Sequence, residues 1–389
     1  MTEQEWTPTD AEIERRHDAI RTAAERAGLD AVLVCGSEYT GFEGAVTYAS
    51  GFRILHRYAY VLVPVEGEPV SVYPQEARWV GDHGETFVSE RVFAPTPGAW
   101  LRDRFREGGL SRVGVYGLDH AMPVRDYREL ADGPAELVRF DEEFDLARAV
   151  KSEEELRSVR HSMEINRAGV FAVSEAYEPG RTEAELMGAA EEVFAARGTA
   201  RLTMDMVLTG PHGAVTPEMT FPSATRRVAD TDLLIYGLEV AGPGGHWVEF
   251  SRPLAPGGVS DETARMMEAY GEHYEIAGRL LKEGSTAEQV HRAASQPFVE
   301  RGYRLGHVTG HSIGMTMIEL PRIGEGTEVT LRENMVFSMH PHVISEDERT
   351  CLYFQETWRV GATEGEALSG VPPRLFDGSE TLAGVTGGG

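Results

Sequence analysis

GRTEAELMGAAEEVFAARG (Gly180 to Gly198) and GSTAEQVHRAASQPFVERG (Gly284 to Gly302) are two copies of one pattern at a constant offset of 104 residues. Each opens on Gly-x-Thr, carries Ala-Ala nine residues on and Phe at the fourteenth step, and closes on Arg-Gly. Glycines at both ends and helical spacing between them predict two equivalent helices. Each copy precedes strand-like runs. LLIYGLEVAG (Leu233 to Gly242) and GHWVEFSRPL (Gly245 to Leu254) follow the first copy, NMVFSMHPHV (Asn334 to Val343) and CLYFQETWRV (Cys351 to Val360) the second. Two helix-helix-strand-strand units imply a pseudo-twofold α/β domain with a pocket between its halves.

Upstream, LARAVKSEEELRSVRHSMEINRAGVFAVSEAYEPG (Leu146 to Gly180) reads as a long helix opening this domain, with Ser152 and the glutamates after it as its start signal. Before it, helical spacing from Asp10 to Gly28 leads into DAVLVCG (Asp30 to Gly36), a short apolar run that reads as a buried strand. RYAYVLVPV (Arg57 to Val65), EPVSVYP (Glu68 to Pro74) and SRVGVYG (Ser111 to Gly117) continue as strands, and AWLRDRFREGG (Ala99 to Gly109) as an amphipathic helix closed by glycine. The expected organisation is an α/β domain over 1–146, the duplicated domain over 147–361 and a Gly/Ser/Thr/Pro-rich, partly disordered tail over 362–389.

With 389 residues, 41% of them apolar, the chain has material for two cores. Its formal charge of −26 argues against nucleic acid and anionic membranes as partners and favours a small-molecule or peptide substrate. No run of about 18 uncharged apolar residues occurs, and the polar N-terminus lacks a signal-peptide pattern, so a cytoplasmic protein is expected. Cys35 and Cys351, each in an apolar run, are expected as buried thiols.

The most specific stretch is GHVTGHSIGMTMIELP, Gly306 to Pro321. It resembles the segment around the histidine ligand of the pita-bread family of creatinase, prolidase and aminopeptidase P, where Gly-His-Gly-Ile-Gly precedes a strand carrying His-Glu and proline. Here Ile318 and Glu319 stand at the His-Glu place. The likeness extends over the Lys151-Ser152 linker, the Gly180 helix and the Asn334 strand. It implies a creatinase-like N-terminal α/β domain followed by a pseudo-twofold pita-bread domain, an α/β (α+β) fold.

The peptidases of that family hold two divalent ions with two Asp, one His and two Glu. By resemblance, those five places fall here on Glu239 (Leu238 in the other register), Glu249, His311, His340 and Gln355, with Glu356 beside the last. Two anionic ligands are replaced by neutral groups, which implies that the dinuclear site is lost. The leading expectation is therefore a creatinase-like enzyme without cofactor that hydrolyses a C–N bond of a small polar substrate or performs a related acid-base reaction on it. In it His311 or His340 serves as acid and base, because imidazole titrates near neutrality. Glu239 and Glu249 would take a cationic group, and Gln355 would supply a hydrogen bond.

The resemblance further implies substrate contacts from Glu356, Arg252, Glu319 and His212, and from Arg57 (with Arg53 as competitor) reaching across a homodimer to the partner's pocket. His307 and His342 read as structural. An alternative is a rewired mononuclear metal-dependent hydrolase, peptidase of Xaa-Pro type or lyase, with Glu239, Glu249, His311 and His340 holding one Zn, Mn or Fe ion. A second alternative is a non-catalytic binding module.

Overall fold

The N-terminal alternation of apolar strand and amphipathic helix builds a six-stranded sheet in the structure, a computed structural model that describes residues 6–382 apart from 40, 82, 85, 200–205 and 214. Its strands are β1 (Ala31–Ser37), β2 (Tyr58–Pro64), β3 (Val70–Pro74), β4 (Glu90–Ala94), β5 (Arg112–Tyr116) and β6 (Glu136–Arg139), in the order β4-β3-β2-β1-β5-β6. The helices are α1 (Asp10–Arg26), α2 (Gly44–Ser50), α3 (Pro97–Glu107), α4 (Val124–Ala131) and α5 (Asp141–Ala147).

Central β1 is buried along its whole length, which is why DAVLVCG is continuously apolar. Its alternate residues face opposite ways. Val32 and Val34 join a cluster with Ile20, Tyr48 and Phe144, whereas Leu33 and Cys35 join Leu101, Phe105 and Leu130. Helix α1 starts where expected, with the Thr9 side chain accepting from Glu12 N. Helix α2 carries no amphipathic signal because all its residues are buried.

The duplicated region comprises α6 (Glu153–Ala176), α7 (Glu183–Ala196), β7 (Met206–Pro211), β8 (Asp232–Gly237), β9 (Glu239–Ala241) and β10 (Trp247–Glu249) in its first half. The second half holds α8 (Asp261–Leu280), α9 (Ala287–Val299), β11 (Arg304–Leu305), β12 (Gly310–Ser312), β13 (Glu319–Ile323), β14 (Val336–Met339), β15 (His342–Ile344), β16 (Cys351–Tyr353), β17 (Glu356–Arg359) and β18 (Glu366–Ala367).

The repeat is a real structural equivalence. Thr182 and Thr286 each cap their helix through a capping box, with Glu185 and Gln289 as the reciprocal partners. Thr182 bridges Arg227 and Thr286 bridges Thr330 in the same antiparallel sense. Gly180 N donates to Val228 O at 2.8 Å, and Gly284 N to Leu331 O at 3.0 Å.

The chain divides into two compact units, Met1–Glu154 with Gly314–Leu320, and Glu155–Ile313 with Pro321–Gly389. These cross the expected limits of 1–146, 147–361 and 362–389 in two places. The first unit retains the linker and captures the segment after the GHSIG motif. Gly44 is what admits that segment, since a Cβ there would lie 1.8 Å from the Met315 carbonyl oxygen. At its far end Glu319, buried, pairs with Arg148 at 3.0 Å and Lys151 at 2.9 Å.

The tail, expected to be partly disordered from 362, is ordered in its described part: Val371 and Phe376 are buried, and β18 pairs with β17. Its last glycines lie outside the described residues. Among the described residues, no helix is long and apolar enough to cross a membrane. Cys35 and Cys351 are free and buried.

Candidate metal centre

The second unit brings five β-strands to one place. Strands β9 and β10 run antiparallel with Glu239 directly opposite Glu249. Strands β12 and β14 pair His311 with Ser338, and β14 and β17 pair Ser338 with Thr357. Thr357 Oγ1 ties the two systems together: it accepts from Glu249 N and donates to Glu249 O, both at 2.9 Å. An isolated bridge between Ser251 and Gln355 sets Gln355 behind the carboxylates.

Within this frame Glu249, His311 and His340, all buried, offer ligand atoms lying within 4.8 Å of one another. His311 Nε2 is 3.3 Å from Glu249 Oε1, and His340 Nε2 is 3.9 Å from Glu249 Oε2. His311 Nδ1 meets the Ser312 carbonyl at 2.9 Å, which fixes the ring with Nε2 toward the carboxylate. Ser338 Oγ donates to Glu249 Oε2 at 2.6 Å. Gln355 Nε2 donates to Glu239 Oε1 at 2.9 Å and to Glu249 Oε2 at 3.2 Å.

Electrostatics divides the two imidazoles. Burial opposes charge on His311, but the Glu249 carboxylate beside it raises its pKa above the usual value. Burial dominates at His340 and pushes it down to about 3, so this ring is neutral at physiological pH. Burial alone would raise Glu249, yet the imidazoles of His340 and His311 and the hydrogen bonds it accepts hold it down to about 2.

These donors fit a divalent ion. Neither ring nitrogen of buried His340 has a hydrogen-bond partner among the described residues, a condition that costs about 1–3 kcal/mol unless something ligates it. Two imidazoles and one carboxylate are a three-ligand set that leaves a position open for substrate or water.

Other expected site residues are placed differently. Glu239 is buried beside the group but held by the Gln355 amide, and it is not one of the three clustered donors. Arg252 and Glu356, expected at the substrate, pair with each other at 2.6 Å. Arg252 also donates to the carbonyls of Gln355, Val371 and Pro372, which anchors the tail. Glu319 is consumed by Arg148 and Lys151 in the first unit and is an internal counter-ion. Arg57 is half exposed and pairs with Glu76 at 2.6 Å. His212 is exposed, at φ 51 in the turn after β7.

Sequence reading missed Ser338 and Thr357. Each lies two residues from an identified site position, Ser338 before His340 and Thr357 after Gln355, and strand alternation could have found both. His307, read as structural, has its ring centroid 4.8 Å from that of His340.

The fold is that of the pita-bread class. A sequence model of metallopeptidase family M24 matches residues 157–365, and the chain belongs to that family. It is 27% identical over 346 residues to the "Probable dipeptidase PepE" of Mycobacterium tuberculosis, covering 86% of this chain and 88% of the relative. It is 23% identical over 325 residues to the Xaa-Pro dipeptidase of Pyrococcus horikoshii, covering 82% and 87%. The crystal structure of a prolidase from Thermococcus sibiricus superposes with a TM-score of 0.81 at 22% identity, covering 95% of this chain and 99% of that one. The dipeptidase PepE of Mycobacterium ulcerans does so with a TM-score of 0.79 at 23% identity, covering 95% and 98%.

The expectation of a cofactor-free enzyme is thereby overturned. The family is one of metallopeptidases, and the buried Glu249-His311-His340 group supplies a donor set suited to a metal. The replacement of acidic ligands by His340 had suggested loss of metal, but a neutral imidazole is itself a good ligand for a borderline ion.

Proposed function

We propose that this chain is a metal-dependent hydrolase of small peptides of the Xaa-Pro type, with a Zn, Mn or Fe ion held by Glu249, His311 and His340. The observation that carries the reading is the convergence of these three buried side chains, with both nitrogens of His340 lacking a hydrogen-bond partner among the described residues. The names of the relatives support the substrate class. When bound, such an ion supplies Lewis-acid polarisation of the scissile carbonyl and activation of water.

The chain's own residues prepare the place. Ser338 and Gln355 hold Oε2 of Glu249, so that Oε1 faces His311. The Ser312 carbonyl sets the His311 ring, and burial keeps His340 unprotonated, the state a ligand needs. The test combines elemental analysis with hydrolysis of Xaa-Pro dipeptides by protein stripped and reloaded with Zn, Mn or Fe. Bound metal and metal-restored cleavage, both lost in His340→Ala, are expected. Protein that takes up no ion, or that cleaves equally well after stripping, would refute the proposal.

A further inference from the structure

Glu239 and Glu249 are both buried and stand directly opposite each other across β9 and β10. Two carboxylates so placed repel unless something positive or hydrogen-donating lies between them. That something is the Gln355 amide nitrogen, 2.9 Å from Glu239 Oε1 and 3.2 Å from Glu249 Oε2.

The orientation of the amide is fixed by its other end. Gln355 Oε1 accepts from Leu238 N at 2.9 Å, so turning the group round would set an oxygen against two carboxylates and an NH2 against an N–H. A glycine in β8 makes room for this: a Cβ on Gly237 would sit 3.2 Å from Gln355 Oε1. The point about 3 Å from both carboxylates is where a cation would be most stable, and a neutral donor fills it.

We propose that Gln355 limits this chain to a single metal ion, its amide occupying the place between Glu239 and Glu249 that a second cation would take. The proposal rests on the reading of Glu249, His311 and His340 as a metal site. It assigns Glu239 to the amide, outside the ligand set. It also implies that one substitution, Gln355→Glu, recreates a second site: three buried carboxylates around one point are tolerated only with a cation among them.

The experiment measures manganese per chain on the full-length protein after equilibration with Mn(II) and gel filtration, with a thermal melt of each sample. One ion is expected in the unaltered protein, two in Gln355→Glu and one in Glu239→Ala. Gln355→Glu should also gain more in melting temperature from added Mn(II) than the unaltered protein does. Two ions in the unaltered protein, one in a folded Gln355→Glu, or loss of the ion in Glu239→Ala would each overturn the proposal. Should Gln355→Glu fail to fold, the count in Glu239→Ala decides. An unaltered protein with no ion defeats the hydrolase reading and this proposal together, a result distinct from an intact single ion that Gln355→Glu leaves unchanged.

Discussion

His311 Nε2 lies 3.3 Å from Glu249 Oε1, and both side chains are buried. In metal-free protein this imidazole is the buried partner of Glu249, and under the proposed metal reading the same two atoms would be ligands. His311→Ala should therefore do two things. It should lower metal affinity at least tenfold, and it should destabilise the metal-free protein by about 3 kcal/mol by leaving Glu249 without its imidazole partner. Calorimetric titration and urea denaturation measure the two effects, and unchanged affinity would count against the assigned ligands.

Glu319 makes a different prediction. Its carboxylate balances Arg148 and Lys151 inside the first unit, and Arg148 also binds Asp145 at 2.7 Å. Glu319→Gln leaves a surplus of buried positive charge, for a loss of about 3–5 kcal/mol. Metal content per folded molecule should not change. Chemical denaturation and elemental analysis on the same sample separate this structural role from the substrate-binding role expected from sequence.

Acid stability should carry the mark of His273. Burial pushes this histidine, on α8, down to about 4, and its Nδ1 meets the Ala294 carbonyl at 2.8 Å. The unfolded chain binds the proton near pH 6.5, whereas the folded one resists until about 4. Stability is thus full above pH 6.5, falls by about 1.4 kcal/mol per pH unit below it, and levels off below about 4 after a loss of about 3 kcal/mol. His273→Gln should remove this part of the slope between pH 6.5 and 4 in urea titrations.

Arg252, three residues past β10, pairs with Glu356 of β17 and holds the tail through the carbonyls of Val371 and Pro372. Arg252→Met should strand the Glu356 carboxylate and loosen the segment beyond Ser369. A loss of about 3 kcal/mol is expected, together with faster proteolysis after residue 369. An unchanged cleavage pattern would show that the tail is held by Val371 and Phe376 alone.

Sequence alone determined whatever depends on local pattern. The paired Gly-x-Thr helices, the apolar run of β1 and the GHSIG segment each write their structure into neighbouring residues, because caps, strand alternation and helical spacing act over a few positions. The same reading placed Glu249, His311 and His340 at one site, since motif and strand register identify them by position. Partnership was decided only by tertiary structure. Whether Glu356 meets substrate or Arg252 depends on a contact across 104 residues, and whether Glu319 serves the pocket or Arg148 on one across more than 170. Gln355 is the sharpest case: as a residue type it signals a lost ligand, but the Ser251-Gln355 bridge and the Leu238 N–H turn its amide into the link between two carboxylates. Burial makes such pairings obligatory, because an isolated charge in the interior costs more than the chain can tolerate, and only the folded chain settles which group supplies the partner.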